Sequence, residues 1–198
     1  PWAVGLSYDD SGQKSVGRNQ ATGYFSLYNP TGLNDVLNVS YSQNLENNSS
    51  YGSKNNSFSY VIPYKNYSFN VNHYFNEYTQ QVPSVIPYNH KGKTDTWEFG
   101  MQRLLHRDSI RRTQMSAKLI HRHKQGFING EEVKVQELQT TAYQLGVMHR
   151  QYAGKGVIDA MVYYQKGIPS FHAKSGLDDF NPEYMTTRYA LWGFNLYY

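Results

Sequence analysis

The chain has 198 residues, no cysteine, a net charge of +4 and 16% aromatic residues, 19 of its side chains being tyrosine. These numbers exclude a disulfide framework and thiolate chemistry, and they exclude disorder, since so many aromatics go with order even at low mean hydropathy. No apolar run approaches the roughly 20 residues of a membrane-spanning helix, so any insertion into a bilayer has to use strands. Charged residues make up only 17% of the chain, and its wealth of Asn, Ser and Gly suits a protein with half its side chains facing lipid and half facing water. The basic residues are scattered and form no recognition motif, which argues against a nucleic-acid partner. Because the chain starts at Pro1 with no cleavable leader, it reads as a mature or excised product.

Alternation of large apolar with small or polar residues, the period of a strand, recurs from one end to the other. Trp2, Val4, Leu6 and Tyr8 share one face, with Ala3, Gly5 and Ser7 on the other. Ala21, Gly23, Phe25 and Leu27 then oppose Thr22, Tyr24 and Ser26, and Leu37, Val39 and Tyr41 oppose Asn38, Ser40 and Ser42. The run SFSYVIPYKNYSFNVNHYF reads as two strands around a Lys65-Asn66 turn. Phe58, Tyr60, Ile62, Tyr64, Tyr67, Phe69 and Val71 take one face there, and Ser57, Ser59, Ser68, Asn70 and Asn72 the other.

Farther on, Trp97, Phe99 and Met101 oppose Glu98, Gly100 and Gln102. Met115, Ala117 and Leu119 oppose Gln114, Ser116, Lys118 and Arg122. Tyr143, Leu145 and Val147 oppose Gln144, Gly146 and Arg150, and Ile158, Ala160 and Val162 oppose Asp159. Last come Ala190, Trp192, Phe194 and Leu196 against Gly193 and Asn195. The pattern predicts an all-β antiparallel transmembrane barrel wall of about ten strands.

The connections alternate as well. NPTGLND, YKNYS, HRDSIRR and AGKG are short, whereas the segments around NLENNSSYGSK, EYTQQVPSVIPYNHKGKT, KQGFINGEEVKV and KGIPSFHAKSGLDDFNPEY are long. Short periplasmic turns opposite long extracellular loops set an orientation in which the chain enters and leaves at the periplasmic end. A soluble barrel with a dry interior would alternate too, but with its apolar face inward. The Gly, Ser, Asn and Gln of the polar face suit a wet lumen, and aromatics near strand ends suit interfacial girdles. Arg103, His73, His121 and His149 share the outward register, each expected at a strand end where snorkelling makes it tolerable.

Against this frame the run RLLHRDSIRRTQMSAKLIHRHKQGFINGEEVKVQELQTTAYQLGVMHRQYAGKGVIDAMVYYQKG, with GYFSLYNPTGLNDVLNVSYSQ and NNSFSYVIPYKNYSFNVN upstream, resembles the ShlB/FhaC/HecB family of two-partner secretion transporters. That family includes haemolysin activators and the outer-membrane partners of contact-dependent inhibition toxins. The likeness lies in hairpins: a Leu-His-Arg-Asp turn, a basic strand, an acidic Glu131-Glu132 loop leading to Val133 and Val135, then Leu145-Gly146 and His149-Arg150-Gln151-Tyr152. The resemblance implies a monomeric Gram-negative outer-membrane pore that threads one unfolded exoprotein (a TpsA-type haemolysin, adhesin or toxin) outward without ATP. Its other contacts would be membrane lipid and lipopolysaccharide. Family barrels have roughly sixteen strands, so residues 1–198 are expected to be the first part of such a barrel. The periplasmic POTRA domains and the later Val-Arg-Gly-aromatic loop of the family do not occur in this sequence. A general porin or structural barrel is the alternative.

Candidate chemistry is sparse, and no catalytic residue, cofactor or metal is expected. Lys118, Arg122 and Arg150 fall on the inward face of adjacent predicted strands, a basic lumen wall able to contact an acidic translocating chain. The plainer reading pairs them with carboxylates such as Glu98 or Asp159. His121 and His123 have a spacing that suits metal, but no third ligand stands at a recognisable distance in sequence, and an interfacial pair near lipopolysaccharide fits better. An enzyme would need a complete acid, base or nucleophile set, and Asp178-Asp179 with His172 does not supply one.

Overall fold

The computed structural model describes residues 1–10, 12–13, 15–46, 51–171, 173–175 and 189–198. Its architecture is one antiparallel sheet. In chain order the strands are β1 (Trp2–Asp9), β2 (Gln20–Tyr28), β3 (Val36–Asn44), β4 (Gly52–Tyr64), β5 (Tyr67–Val82), β6 (Tyr88–Arg107) and β7 (Arg111–Ile128). Then follow β8 (Glu131–Glu132), β9 (Leu138–Ala153), β10 (Gly156–Ile168), β11 (Lys174–Ser175) and β12 (Ala190–Tyr197). Ten of them lie side by side in the order β1-β2-β3-β4-β5-β6-β7-β9-β10-β12, while two-residue β8 pairs with β7 and two-residue β11 with β9. The expected number of wall strands, their antiparallel sense and their up-and-down order are all observed.

Register places the alternating sets as the sequence pattern demands. Val4 faces Phe25, Phe25 faces Val39 and Val39 faces Phe58, so one apolar row crosses four strands. Ser26, Asn38, Ser59 and Asn72 form the matching polar row behind it. Among the described residues the elements pack chiefly on their hydrogen-bonded neighbours, and a 3₁₀ turn at Lys134–Gln136 leans on β7. Among the described residues the single buried apolar side chain is Ala142, while Leu6 is 88% and Trp192 75% exposed. Such a wide apolar surface with nothing packed on it is what lipid, not water, tolerates.

The short connections behave as expected. Lys65 adopts φ 53°, which closes the Lys65-Asn66 hairpin, and Gly154 adopts φ 61° in the turn between β9 and β10. In the turn before β3 the fully buried Asp35 accepts hydrogen bonds from the Thr31 amide at 3.2 Å and the Tyr60 hydroxyl at 2.6 Å. Burial works to raise the Asp35 carboxyl, but these donors outweigh it and hold the group below its ordinary value. Asp108, in the β6–β7 turn, accepts the amides of Ile110 at 2.9 Å and Arg111 at 2.7 Å, and its other oxygen meets His106 and the Arg111 guanidinium. The His106 ring, the Ile110 amide and the Arg111 donors hold it well below the usual carboxylate range.

Two of the long loops are shorter than the sequence suggested, while NLENNSSYGSK and KGIPSFHAKSGLDDFNPEY lie partly outside the described residues. Most of EYTQQVPSVIPYNHKGKT is strand, because β5 runs on to Val82 and β6 begins at Tyr88. Thr79, Gln80 and Gln81 pair with Lys91, His90 and Asn89, so polar side chains continue the ladder beyond the apolar stretch. In KQGFINGEEVKV the Asn129-Gly130 pair, at φ 50° and 90°, turns Glu131–Glu132 back onto β7, as Asn-Gly does in two-residue hairpins.

Glycines on the inner face make room for tyrosines. Gly5 pairs with Tyr24, Gly193 pairs with Tyr163, and a Cβ at either glycine would overlap the ring. Gly193→Ala is therefore expected to lower unfolding stability by about 1–3 kcal/mol through overpacking. In a Tyr163→Ala background the same change should cost much less, and chemical unfolding in detergent micelles measures both. A second expectation concerns acid. Because the folded Asp108 value is depressed, its stabilisation is complete above the ordinary aspartate value near 3.9 and fades as pH falls toward the folded value. Comparing unfolding midpoints at neutral and strongly acid pH, Asp108→Asn should show a smaller acid loss than the parent protein.

Candidate functional site

The two faces of the sheet define the site, and the outer one sets its height. On β6 the outward Trp97, Phe99 and Met101 lie between Asp95 and Arg103; on β7 Met115, Ala117 and Leu119 lie between Thr113 and His121. On β9 Tyr143, Leu145 and Val147 lie between Thr141 and His149. Each window spans roughly 26 Å along its strand at about 3.3 Å per residue, or about 20 Å of height at the ~40° strand tilt of outer-membrane barrels, somewhat less than their ~25 Å apolar band.

Hydrogen bonds across strands finish both margins of this band. Thr113 Oγ1 and His149 Nδ1 lie 2.9 Å apart on one side, and His121 Nδ1 and Thr141 Oγ1 lie 2.9 Å apart on the other. His73 Nε2 sits 2.7 Å from Asp95 Oδ2, with its ring stacked on Trp97 at 4.3 Å. The Arg103 guanidinium stands 5.4 Å from the centre of the Tyr67 ring. The outward register expected for these four residues is observed, but their position at strand ends is not. His73 and His121 lie well inside β5 and β7. They mark where the apolar band ends, and the strands continue past it.

The inner face is a hydroxyl and amide surface. Thr22 donates to Ser42 at 2.9 Å, Ser26 to Asn38 at 2.7 Å and Ser59 to Asn72 at 2.8 Å, while the Ser40 and Ser57 hydroxyls meet at 2.7 Å. These short side chains satisfy one another across strands and leave a face that water can wet.

Of the basic residues singled out in the sequence, Lys118, Arg122 and Arg150 all take the inner face of the adjacent strands β7 and β9. They are not gathered into one patch. Lys118 pairs with Gln144 and Arg122 with Thr140, whereas Arg150 pairs with Arg112 at the short-turn end. Arg150 and Arg122 are thus separated by ten positions along β7, roughly 33 Å at 3.3 Å per residue. Arg150 grips Asp159 through Nε at 2.6 Å and Nη2 at 2.9 Å, the pairing that the plainer reading anticipated. Arg122 donates from Nε to Thr96 Oγ1 at 3.3 Å. Glu98 sits opposite Ile120 and Asn72, one row from Lys118.

Two inward arginines escaped the sequence reading. Arg112 stands directly between Arg107 and Arg150 in the cross-strand register. Counting by twos from the outward Arg103 puts Arg107 on the lipid side. A bulge between Leu104 and His106 slips the register by one residue and turns Arg107 inward.

His121 and His123 do share one side of β7, but each is engaged elsewhere. His121 meets Thr141 and Gln139, and His123 Nε2 lies 3.1 Å from Glu137 Oε1. Nearby, hydrogen bonds from Lys134 and Gln125 hold the Glu132 carboxyl below its ordinary range. Asp178, Asp179 and His172 lie outside the described residues.

Comparison with known proteins sets this geometry in context. Residues 1–198 match the family model described as haemolysin secretion/activation protein ShlB/FhaC/HecB. The chain is similar to the outer membrane transporter CdiB-2 of Burkholderia pseudomallei strain 1026b, 28% identical over 170 residues, covering 85% of this chain and 29% of that protein. It is also similar to the hemolysin transporter protein ShlB of Serratia marcescens, 26% identical over 171 residues, with 85% and 30% covered. Among solved structures, CdiB from Escherichia coli aligns with a TM-score of 0.83 at 23% identity, over 88% of this chain and 33% of that one. CdiB from Acinetobacter baumannii aligns with a TM-score of 0.71 at 24% identity, over 98% and 33%. The chain thus spans about a third of the length of the proteins it resembles.

Proposed function

The chain belongs to the haemolysin secretion/activation ShlB/FhaC/HecB family, and from that premise we propose that residues 1–198 are barrel wall of an outer-membrane pore that passes a large partner exoprotein to the cell surface. The observation that carries this reading is the chemical opposition of the two faces. An apolar band closed at both margins by hydrogen-bonded polar pairs suits a bilayer, and a face of hydroxyls, amides and spaced cations suits a polypeptide sliding past in water.

An extended, unfolded chain presents backbone amides and mixed side chains, so a wall that transports it must avoid sticky apolar patches. The inner rows built on Ser40, Ser57, Ser59 and Asn72 meet that need, offering weak hydrogen bonds that exchange readily with water. Lys118 and Arg122, spaced along β7 rather than clustered, would give an acidic segment successive weak contacts instead of one trap. The free edges of β1 and β12 carry backbone groups that lipid cannot satisfy, which supports a wall completed by further strands. No step of this function calls for a catalytic residue, and the names of the relatives are those of transporters.

The intact protein is expected to conduct ions in a planar bilayer and, co-produced with its partner exoprotein, to release that exoprotein from cells. Free uptake of small solutes with no dedicated exoprotein would replace this reading with a general porin. Absence of both conductance and release would defeat it.

A further inference from the structure

The strongest unassigned feature is the arginine row at the short-turn end of the inner face. Arg107 on β6, Arg112 on β7 and Arg150 on β9 are consecutive cross-strand partners, followed by Asp159 on β10. Directly opposed residues in a sheet hold their Cβ atoms about 4.5–5.5 Å apart, a distance at which like charges repel. Asp159 engages Arg150 bidentately, but among the described residues neither Arg107 nor Arg112 has a carboxylate partner. Asp108, the nearest acid in sequence, is committed to His106 and Arg111. All three arginines are exposed.

Two details suggest a receiving site rather than a tolerated surface. The bulge at Leu104 and His106 is what brings Arg107 into the row, so an irregularity of the sheet is used to add a like charge beside Arg112. Between Arg112 and Arg150 there is a cleft of about 120 Å³, completed by Gln114 and Met148. Its size suits one or two carboxylate groups, and guanidinium forks bind carboxylates with paired hydrogen bonds. One bound carboxylate would relieve the repulsion between its neighbours.

We propose that the Arg107–Arg112–Arg150 row is a carboxylate-binding site at the short-turn mouth of the barrel, where acidic side chains of a polypeptide entering the lumen are first held. Its assignment to an entering polypeptide rests on the pore reading above. A lipid headgroup does not reach this face, because the row lies on the side opposite Thr113 and His149 at the margin of the lipid band. Asp159 keeps Arg150 in place, and Arg112 and Arg107 are left to the ligand.

Fluorescence anisotropy of a labelled oligoglutamate with the intact detergent-solubilised protein tests this directly, without needing the natural exoprotein. The parent protein is expected to bind it with an affinity that falls as salt rises. The double variant Arg107→Gln, Arg112→Gln should weaken binding by about tenfold or more. Lys118→Gln with Arg122→Gln, on the same strand but spaced singly and far from the row, should weaken it much less. Retained heat-modifiable migration on gels shows that each variant is folded. Equal binding by the Arg107/Arg112 double variant, equal loss in the Lys118/Arg122 variant, or equally tight binding of an oligolysine would overturn the proposal. Conductance recorded on the same preparation reads the pore separately, so a conducting protein that ignores oligoglutamate refutes the site and leaves the pore standing.

Discussion

The whole structure depends on a rule that a bilayer imposes: every backbone amide and carbonyl inside the apolar layer has to find its partner within the sheet. A sheet meets that rule only if its ladders run uninterrupted through the layer, and here they do between each neighbouring pair from β4 to β9, while β1 and β12 keep one open edge each. The irregularity at Leu104 and His106 lies below the outward band, on the short-turn side of Arg103. With the backbone satisfied, the side chains are left free to differ completely between the faces. One face takes Trp97, Phe99 and Met101, and the other takes Glu98, Gly100 and Gln102, from the same six residues of chain.

The same rule explains how charge is distributed. A charged group facing lipid at mid-layer costs roughly 2–4 kcal/mol and almost nothing at the interface, so Arg103, Asp95 and the imidazoles collect at the two margins. There they are joined to partners: His73 to Asp95, Thr113 to His149, His121 to Thr141. These pairs are better regarded as the selvedge of the apolar band than as candidate chemistry. The inner face carries the opposite freedom, because water screens its cations and lets six of them sit on β6, β7 and β9 against two acids, Glu98 and Asp159.

Much of this was legible in the sequence because a period of two is unambiguous when both faces are chemically pure. Phe58 to Tyr64 and Tyr67 to Val71 show it, and the Lys65-Asn66 turn falls between them. Loop lengths were misjudged where the face loses that purity. From Glu77 onward β5 is polar on both sides, so a strand standing in water looks like a loop, and β6 before Asp95 repeats the ambiguity. The basic wall was seen only in part for a different reason. Lys118, Arg122 and Arg150 obey the alternation, but Arg107 breaks it, and nothing in RLLHR announces a bulge. Arg112 could have been found, since it shares parity with Gln114 and Lys118; its place beside Arg150 requires the β7–β9 register.

That difference bears on how charge can serve a pore. Residues that alternation reveals lie along a strand, and along β7 it spreads Arg112, Lys118 and Arg122 over successive heights. Residues that register brings together lie across strands at one height, and only there do guanidinium groups come near enough to share a ligand. A chain moving through the lumen would meet the cross-strand row once, at the mouth, and the spaced residues of β7 in turn afterwards. The two arrangements therefore differ in how long they hold an acidic segment, because a segment held by several cations at once leaves slowly, whereas one held by a single hydrated cation leaves fast.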